Sequence, residues 1–314
     1  TKLINMEEPM VISLGGNAFA ERSDSMTMAG QFDFAKQTLK PLAALLRAAG
    51  PVLVTHGNGP QVGYILTRVE EALGKAYELS LEVCVAESEG EIGYVLQQTI
   101  HNLTGGNRPV ATLLTQVRVD AGDPAFDNPT KPIGPWVAGE HLDALAAVGF
   151  TLVRDSAGRG RRVVASPRPR SIVEVNTIRQ MLDLGVIVIA AGGGGIPVVE
   201  QDGQLHGVEA VVDKDLATAL LATEVGARRL VLVTGVAGVY RDFDTADAAL
   251  LQRPTRAELA MLQAAGQFPA GTMGPKVEAA LAFAAATGNP AVICQPADIA
   301  EAIAGTAGTI ITGE

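Results

Sequence analysis

The stretch "GVIVIAAGGGGIPVVE", Gly185 to Glu200, runs a short wall of β-branched and small apolar residues straight into four consecutive glycines. Its uniformly apolar first half fits a strand buried on both faces. The glycines ask for a further reason. Glycine loses more conformational entropy on folding than any other residue, so Gly192 to Gly195 either relieve a strained backbone or let something approach it closely.

The same unit recurs outward from this stretch. "MVISL", "PVLVTH", "PVATLLT", "RLVLVTG" and "PAVICQ" predict further strands, each bounded by Gly, Pro or polar turns. Between the strands, "FDFAKQTLKPLAALLRAAG", "PQVGYILTRVEEALG", "SIVEVNTIRQMLDLG", "DLATALLATEVGA" and "GPKVEAALAFAAATG" carry apolar residues at helical spacing. Strands of this kind argue a parallel sheet covered by helices on both faces, the doubly wound α/β class. A composition of 47% hydrophobic but only 4% aromatic residues over 314 positions agrees, and no repeat points to a solenoid or propeller.

From Asp120 to about Arg170 the rhythm breaks. Pro124, Pro129, Pro132, Pro135, Pro167 and Pro169 fall here together with "GRGRR", and so long a connection predicts an inserted, protruding lobe that would serve as a lid.

A net charge of -10 gives no general basic field, which argues against nucleic acid as a partner. Cys84 and Cys294 sit far apart in apolar settings and are expected as buried free thiols. No apolar run approaches the ~20 residues of a membrane span, and "TKLINMEEPM" lacks a signal-peptide core, so a cytoplasmic protein with no membrane partner is expected. His56, His101, His141 and His206 are scattered, which gives no zinc site and no dedicated metal site.

Several predicted strands end in glycine-rich turns: "SLGGNAF", "THGNGPQVG", "AAGGGGIPV" and "VTGVAGVY". In an open parallel sheet such turns share one edge, where ligands bind. One reading of Gly192 to Gly195 is then backbone N–H groups turned to an anion; the other is a strained crossover with no ligand. The Walker pattern is missing, "GNGPQVG" only approaches the dinucleotide fingerprint, and no nucleophile elbow is present.

Phosphoryl transfer needs little covalent help, but it does need cations against the moving group. Lys214 in "VVDKDLATALL" and Lys276 in "GTMGPKVEAALAF" stand at helix starts, where the helix dipole favours anions, and Lys131 is pinned between prolines in "NPTKPIGP". Each taken alone fits a solvated lysine, and the glycine edge strengthens the functional reading. Asp213 or Asp215 would orient ammonium groups or bind Mg²⁺ indirectly, while Asp213 also suits a plain helix cap.

Taken in order, "LGGNA", "HGNGPQVG", "NPTKPIGP", "GGGGIPV", "GVEAVVDKD", "VTGV" and "GTMGPKVEAA" resemble the carbamate kinases of the amino-acid kinase superfamily, from about Met10 to Thr312. The resemblance implies a three-layer α/β/α sandwich with a central, largely parallel sheet. It implies one domain over residues 1–314 with the lobe at about 120–170, and a homodimer. The implied reaction passes phosphate between ATP and carbamate, giving ADP and carbamoyl phosphate, with Mg²⁺ carried by the nucleotide.

By position, Gly15, Gly16 and Asn17 with Gly57, Asn58 and Gly59 would hold the transferred phosphoryl group, and Gly193, Gly194 and Gly195 would face the carbamoyl end. Lys131 would reach down from the lobe, Lys214 and Lys276 would neutralise phosphate charge, and Asp215 would keep those lysines in register. Thr234, Gly235, Tyr240, Met273 and Pro275 match the nucleotide surround, and Arg161 is a further phosphate contact.

Two departures stand out. The family often has an aromatic within "GRGWR" where this chain has "GRGRR", which leaves Arg161 and Arg162 both open for that contact. "VAESEGEIGY" carries Glu87, Glu89 and Glu91 where the family usually shows neutral residues, as in "AMSQGxIGY". A carboxylate pointing into the cleft would repel carbamate and suggest another small carboxylate or carbamate-like acceptor; the expectation here is that all three face solvent or a dimer partner. A non-catalytic sensor of acyl phosphates or nucleotides is the alternative from another class, and a nicotinamide enzyme rests on "GNGPQVG" alone.

Overall fold

The computed structural model describes residues 8–15, 27–48, 50–139, 142–143, 151–269 and 271–313, and its centre is a sheet of seven strands. In spatial order these are β16 (Thr309–Ile311), β15 (Ala291–Cys294), β12 (Arg229–Val233), β1 (Met10–Leu14), β2 (Val52–His56), β9 (Ile187–Ile189) and β3 (Val110–Thr112). Every neighbouring pair is parallel except β15 with β16. Successive residues of a strand point to opposite faces, so each strand feeds two cores. Val11, Leu53, Val188 and Leu230 enter one, and Ile12, Val54, Ile189 and Val231 enter the other.

Helices close both cores. On one face lie α5 (Val175–Asp183), α6 (Lys214–Glu224), α7 (Arg256–Ala264) and α8 (Met273–Thr287), contributing Leu182, Leu221, Leu259 and Phe283. On the other lie α1 (Met28–Leu39), α2 (Ala43–Ala48), α4 (Leu81–Thr104) and α9 (Ile299–Ala304), contributing Leu39, Leu46, Leu96 and Ile303. The expected α/β layering with a largely parallel sheet is what the chain forms. No described helix is long and apolar enough to cross a membrane, and both cysteines are buried free thiols.

Boundaries moved where local chemistry intervened. The helix expected across "FDFAKQTLKPLAALLRAAG" is interrupted by a tighter turn at Lys40–Leu42, because Pro41 cannot donate to the ladder. The helix expected from Ser171 begins at Val175 instead. Ser171 and Ile172 belong to β8 (Pro169–Ile172), where Ile172 pairs with Val117 of β4 (Gln116–Val119). The strand expected over "PVATLLT" is short, since Leu113 onward leaves the sheet on the way to β4.

Strand β4 joins β8, β10 (Ile196–Gln201) and β11 (Gln204–Gly207) in a second sheet. Strands β5 (Lys131–Val137), β7 (Gly160–Val164) and β6 (Leu152–Arg154) form an antiparallel sheet of their own. That sheet leans on α3 (Gly59–Glu71) where two glycines meet: a Cβ on Gly63 would stand 2.0 Å from the Gly134 Cα. A hairpin of β13 (Tyr240–Arg241) and β14 (Ala249–Leu250) follows β12.

Candidate active site

Because β1, β2, β9 and β12 are parallel, the turns that follow them emerge on one edge. The turns are tied together there. The Gly57 amide donates to the Leu14 carbonyl at 3.1 Å, and the Thr234 amide donates to the Cys294 carbonyl at 2.9 Å. Gly15 packs so closely that a Cβ would sit 3.0 Å from the Val233 carbonyl oxygen. Gly59 and Gly235, in contrast, have no atom within 4 Å of their Cβ positions and face open space. Gly16 and Asn17 lie outside the described residues.

The three expected lysines meet at the start of α6. Asp213 caps that helix, its Oδ1 accepting from the Asp215 amide at 2.9 Å, and its Oδ2 accepts from Lys131 Nζ at 2.5 Å. Asp215 takes both other ammonium groups, Lys214 Nζ at 2.7 Å on Oδ1 and Lys276 Nζ at 2.9 Å on Oδ2. Lys214 also donates to Ser13 Oγ at 2.8 Å, which anchors it to β1. Lys276 sits in the first turn of α8, where the positive end of the helix dipole opposes a cation, and Asp215 offsets that cost. Three ammonium groups against two carboxylates leave one positive charge in excess, so the cluster suits an anion.

Burial alone would push the Asp215 carboxyl up, yet Lys214 and Lys276 outweigh it and hold the group well below the usual carboxylate range. Burial lowers the Lys214 ammonium, and Asp215 pulls it back up. His56, fully buried at the end of β2, is held down to about 4, chiefly by burial, with the Gly57 carbonyl opposing and Lys214 assisting. It is therefore a neutral imidazole at physiological pH.

The His56 shift has a thermodynamic consequence. A histidine whose folded value lies below its unfolded value of about 6.5 contributes stability that is complete above that pH and is lost as the pH falls toward the folded value. The gap corresponds to about 3 kcal/mol. Between pH 7 and pH 4 the melting temperature is expected to fall by about 5 °C more in the wild type than in His56→Gln. Parallel melting profiles by differential scanning calorimetry would remove this role.

The tetraglycine turn answers both readings of its sequence. Gly193, Gly194 and Gly195 take φ of 66°, 103° and 85°, a region only glycine occupies freely. Packing forbids side chains as well. A Cβ would stand 2.4 Å from His56 Nε2 at Gly192, 2.0 Å from Asn58 Nδ2 at Gly193, and 2.2 Å from the Val212 carbonyl oxygen at Gly194. The expectation that all these amides turn to an anion narrows. Gly194 and Gly195 donate inside the turn, to the Ala191 and Gly192 carbonyls, so an anion would be left with the earlier amides.

Asn58 precedes α3 and donates to Ser88 Oγ at 2.7 Å, so its side chain is fixed beneath the turn. Arg161 and Arg162 are both partly buried. Arg161 donates to the Gly134 carbonyl at 2.7 Å and lies 5.9 Å from the Trp136 ring centre, while Arg162 pairs with Glu70 of α3. Trp136, on the neighbouring strand, thus supplies the aromatic surface that "GRGRR" lacks. Tyr240 packs against Phe243, and Met273 and Pro275 open α8 just ahead of Lys276.

The expectation for the three glutamates needs correction at one position. Glu87 is exposed and Glu91 accepts from Gln31 Nε2 at 3.0 Å, but Glu89 is 1% exposed and packs beneath Gly192. Sequence reasoning also missed Ser13, His56 and the pairing of Lys131 with Asp213. Ser13 did leave a signal, as the polar residue inside the apolar run "MVISL".

The family model described as the amino acid kinase family matches residues 8–295. A carbamate kinase of Pyrococcus horikoshii is 42% identical over 98% of this chain and 100% of its own length. The carbamate kinase-like protein YqeA of Escherichia coli is 43% identical over 98% of this chain and 99% of its own. Among solved structures, a carbamate kinase of Giardia lamblia bound to AMP-PNP superposes with a TM-score of 0.90 at 37% identity, covering 98% of this chain and 99% of that one.

Proposed function

This chain belongs to the amino acid kinase family, and we propose that it works as a carbamate kinase, moving a phosphoryl group reversibly between ATP and carbamate. The observation that carries the reading is the cluster of Lys131, Lys214 and Lys276 on Asp213 and Asp215 at the glycine-lined sheet edge. Transfer is direct. Toward ATP, a β-phosphate oxygen of ADP attacks the phosphorus of carbamoyl phosphate, and the bond from phosphorus to the carbamate oxygen breaks with its electron pair.

The residues divide that work. Lys214 and Lys276, held apart and oriented by Asp215, would face the charge on the moving group, and fixed cations of this kind need no reorganisation during the reaction. Gly15, Gly57, Asn58 and Gly59 would bound the phosphoryl position, with Gly16 and Asn17 continuing that loop. Gly193 would face the carbamoyl end, with Gly194 and Gly195 shaping it rather than donating. Lys131 and Arg161 would close from the β5–β7 sheet, which we read as the lid. Thr234, Gly235, Tyr240, Met273 and Pro275 would surround the nucleotide.

Mg²⁺ would arrive on the nucleotide phosphates and neutralise part of their charge. Asp213 and Asp215 already receive ammonium groups, so they suit contact with that ion through water rather than directly. Family resemblance extends the reading to a cytoplasmic homodimer that makes ATP from carbamoyl phosphate, as in arginine breakdown.

The deciding measurement is a coupled assay of ATP formation from carbamoyl phosphate and MgADP. Rapid ATP formation is expected, much slower with other acyl phosphates. Calorimetric binding of both ligands without any ATP formed would make the protein a sensor instead, and rates within a few-fold across acyl phosphates would widen the acceptor class.

A further inference from the structure

Glu89 is buried against the candidate site, yet the transfer reaction as described gives it no part. Its Oε2 accepts from the Thr115 amide at 2.9 Å, and its Oε1 is buried with no hydrogen-bond partner among the described residues. Its Cγ lies 3.1 Å from the point where a Cβ on Gly192 would stand. Thr115 in turn holds both ends of the glycine turn. Its Oγ1 accepts from the Ala191 amide at 2.9 Å on the near side, and its carbonyl accepts from the Ile196 amide at 2.8 Å on the far side. Ala191 needs such support, because its φ of 49° is strained for a residue with a side chain.

We propose that Glu89 is a positioning residue, an uncharged carboxylic acid that sets the Gly192–Gly195 turn through Thr115 and keeps negative charge out from under it. The proposal rests on the function proposed above. The family pattern has Gln at this position, and a neutral acid reproduces its shape and its acceptor oxygen. An ionised carboxylate here would repel the anion the turn is built to meet.

The surroundings favour the neutral form. Burial pushes the Glu89 carboxyl well above its ordinary range, the Thr115 amide pulls it back, and Glu174 pushes it further up. Glu174, ahead of α5, is engaged by the amide and side chain of Gln116. His56 on β2 meets the same point beside Gly192 and is neutral, and Lys214 on α6 acts on that imidazole. On α4 itself Glu87 is exposed, and Gln31 of α1 engages Glu91. From the start of α3 comes Asn58, bonded to Ser88.

Two variants test the proposal. Glu89→Leu cannot hold the Thr115 amide and is expected to raise the KM for carbamoyl phosphate about tenfold at pH 6.5. Glu89→Gln is expected to rescue that loss, and to lack the alkaline limb in which the wild-type KM rises as the carboxyl ionises. Coincident alkaline limbs in wild type and Glu89→Gln, or a Leu variant matching wild type, would overturn it. A wild type that makes no ATP at any pH would sink the proposed function instead, and melting profiles then decide for Glu89. A carboxyl raised on folding gives stability that is full below its unfolded value and lost as the pH rises toward its folded one. Glu89→Gln should therefore gain stability over wild type with rising pH, and parallel profiles would overturn the neutral acid.

Discussion

Lys276→Ala is expected to lower turnover of carbamoyl phosphate with MgADP by roughly 10²- to 10³-fold, the usual loss when one preorganised donor to developing charge is removed. The excess positive charge of the cluster disappears with it, because two ammonium groups then face two carboxylates. The loss should fall on kcat more than on KM, since the charge is felt most when the phosphoryl group is between its two oxygens. Arginine should not rescue it, because a planar fork does not fit where a compact ammonium meets Asp215 at 2.9 Å.

The same variant should stay folded, since Asp215 keeps Lys214. Asp215 contributes stability that is present above its unfolded value and lost as the pH falls through its depressed folded one. With one ammonium gone the folded value rises, and the acid-unfolding midpoint should move to higher pH. Unchanged turnover in a folded Lys276→Ala protein would remove Lys276 from the reaction.

Much of this site was legible because its elements are local. A buried parallel strand, a glycine turn and a lysine at a helix start each declare themselves within a few residues, and the sheet topology then brings them to one edge. What stayed hidden depends on distant pairing. Lys131 and Asp213 are 82 positions apart, and nothing near either residue announces the other. Glu89 differs from its neighbours for a reason of helical spacing. Glu87 and Glu91, at i,i+4, share a face that Glu89 does not. Val85, Glu89, Ile92 and Leu96 lie at core spacing and are all buried, and that periodicity already placed Glu89 inward. The four glycines were ambiguous because strain and close packing ask for the same residue.

Gly63→Ala tests whether the β5–β7 sheet must press on α3 for Lys131 to reach the site. A glycine within a helix normally costs up to about 1 kcal/mol relative to alanine, so the bare expectation is stabilisation. Gly90 in α4 meets that expectation, as its Cβ position has nothing within 4 Å. At Gly63 the new Cβ would stand 2.0 Å from the Gly134 Cα and 2.5 Å from its nitrogen. Both are backbone atoms, so no rotamer can yield and the strand must move off the helix, at a cost of about 1 to 3 kcal/mol.

Lys131 opens that strand, and Arg161 donates to the Gly134 carbonyl, so the same displacement moves both cations and draws Lys131 from Asp213. The kcat/KM for carbamoyl phosphate is expected to fall by about ten- to a hundredfold. MgADP affinity should hold, because the residues assigned to the nucleotide follow β12 and open α8, away from α3. Calorimetry for MgADP, melting curves and steady-state kinetics on Gly63→Ala beside Gly90→Ala separate these effects. A Gly63→Ala protein that gains stability as Gly90→Ala does, with kcat/KM intact, would show that Lys131 reaches the site without this contact.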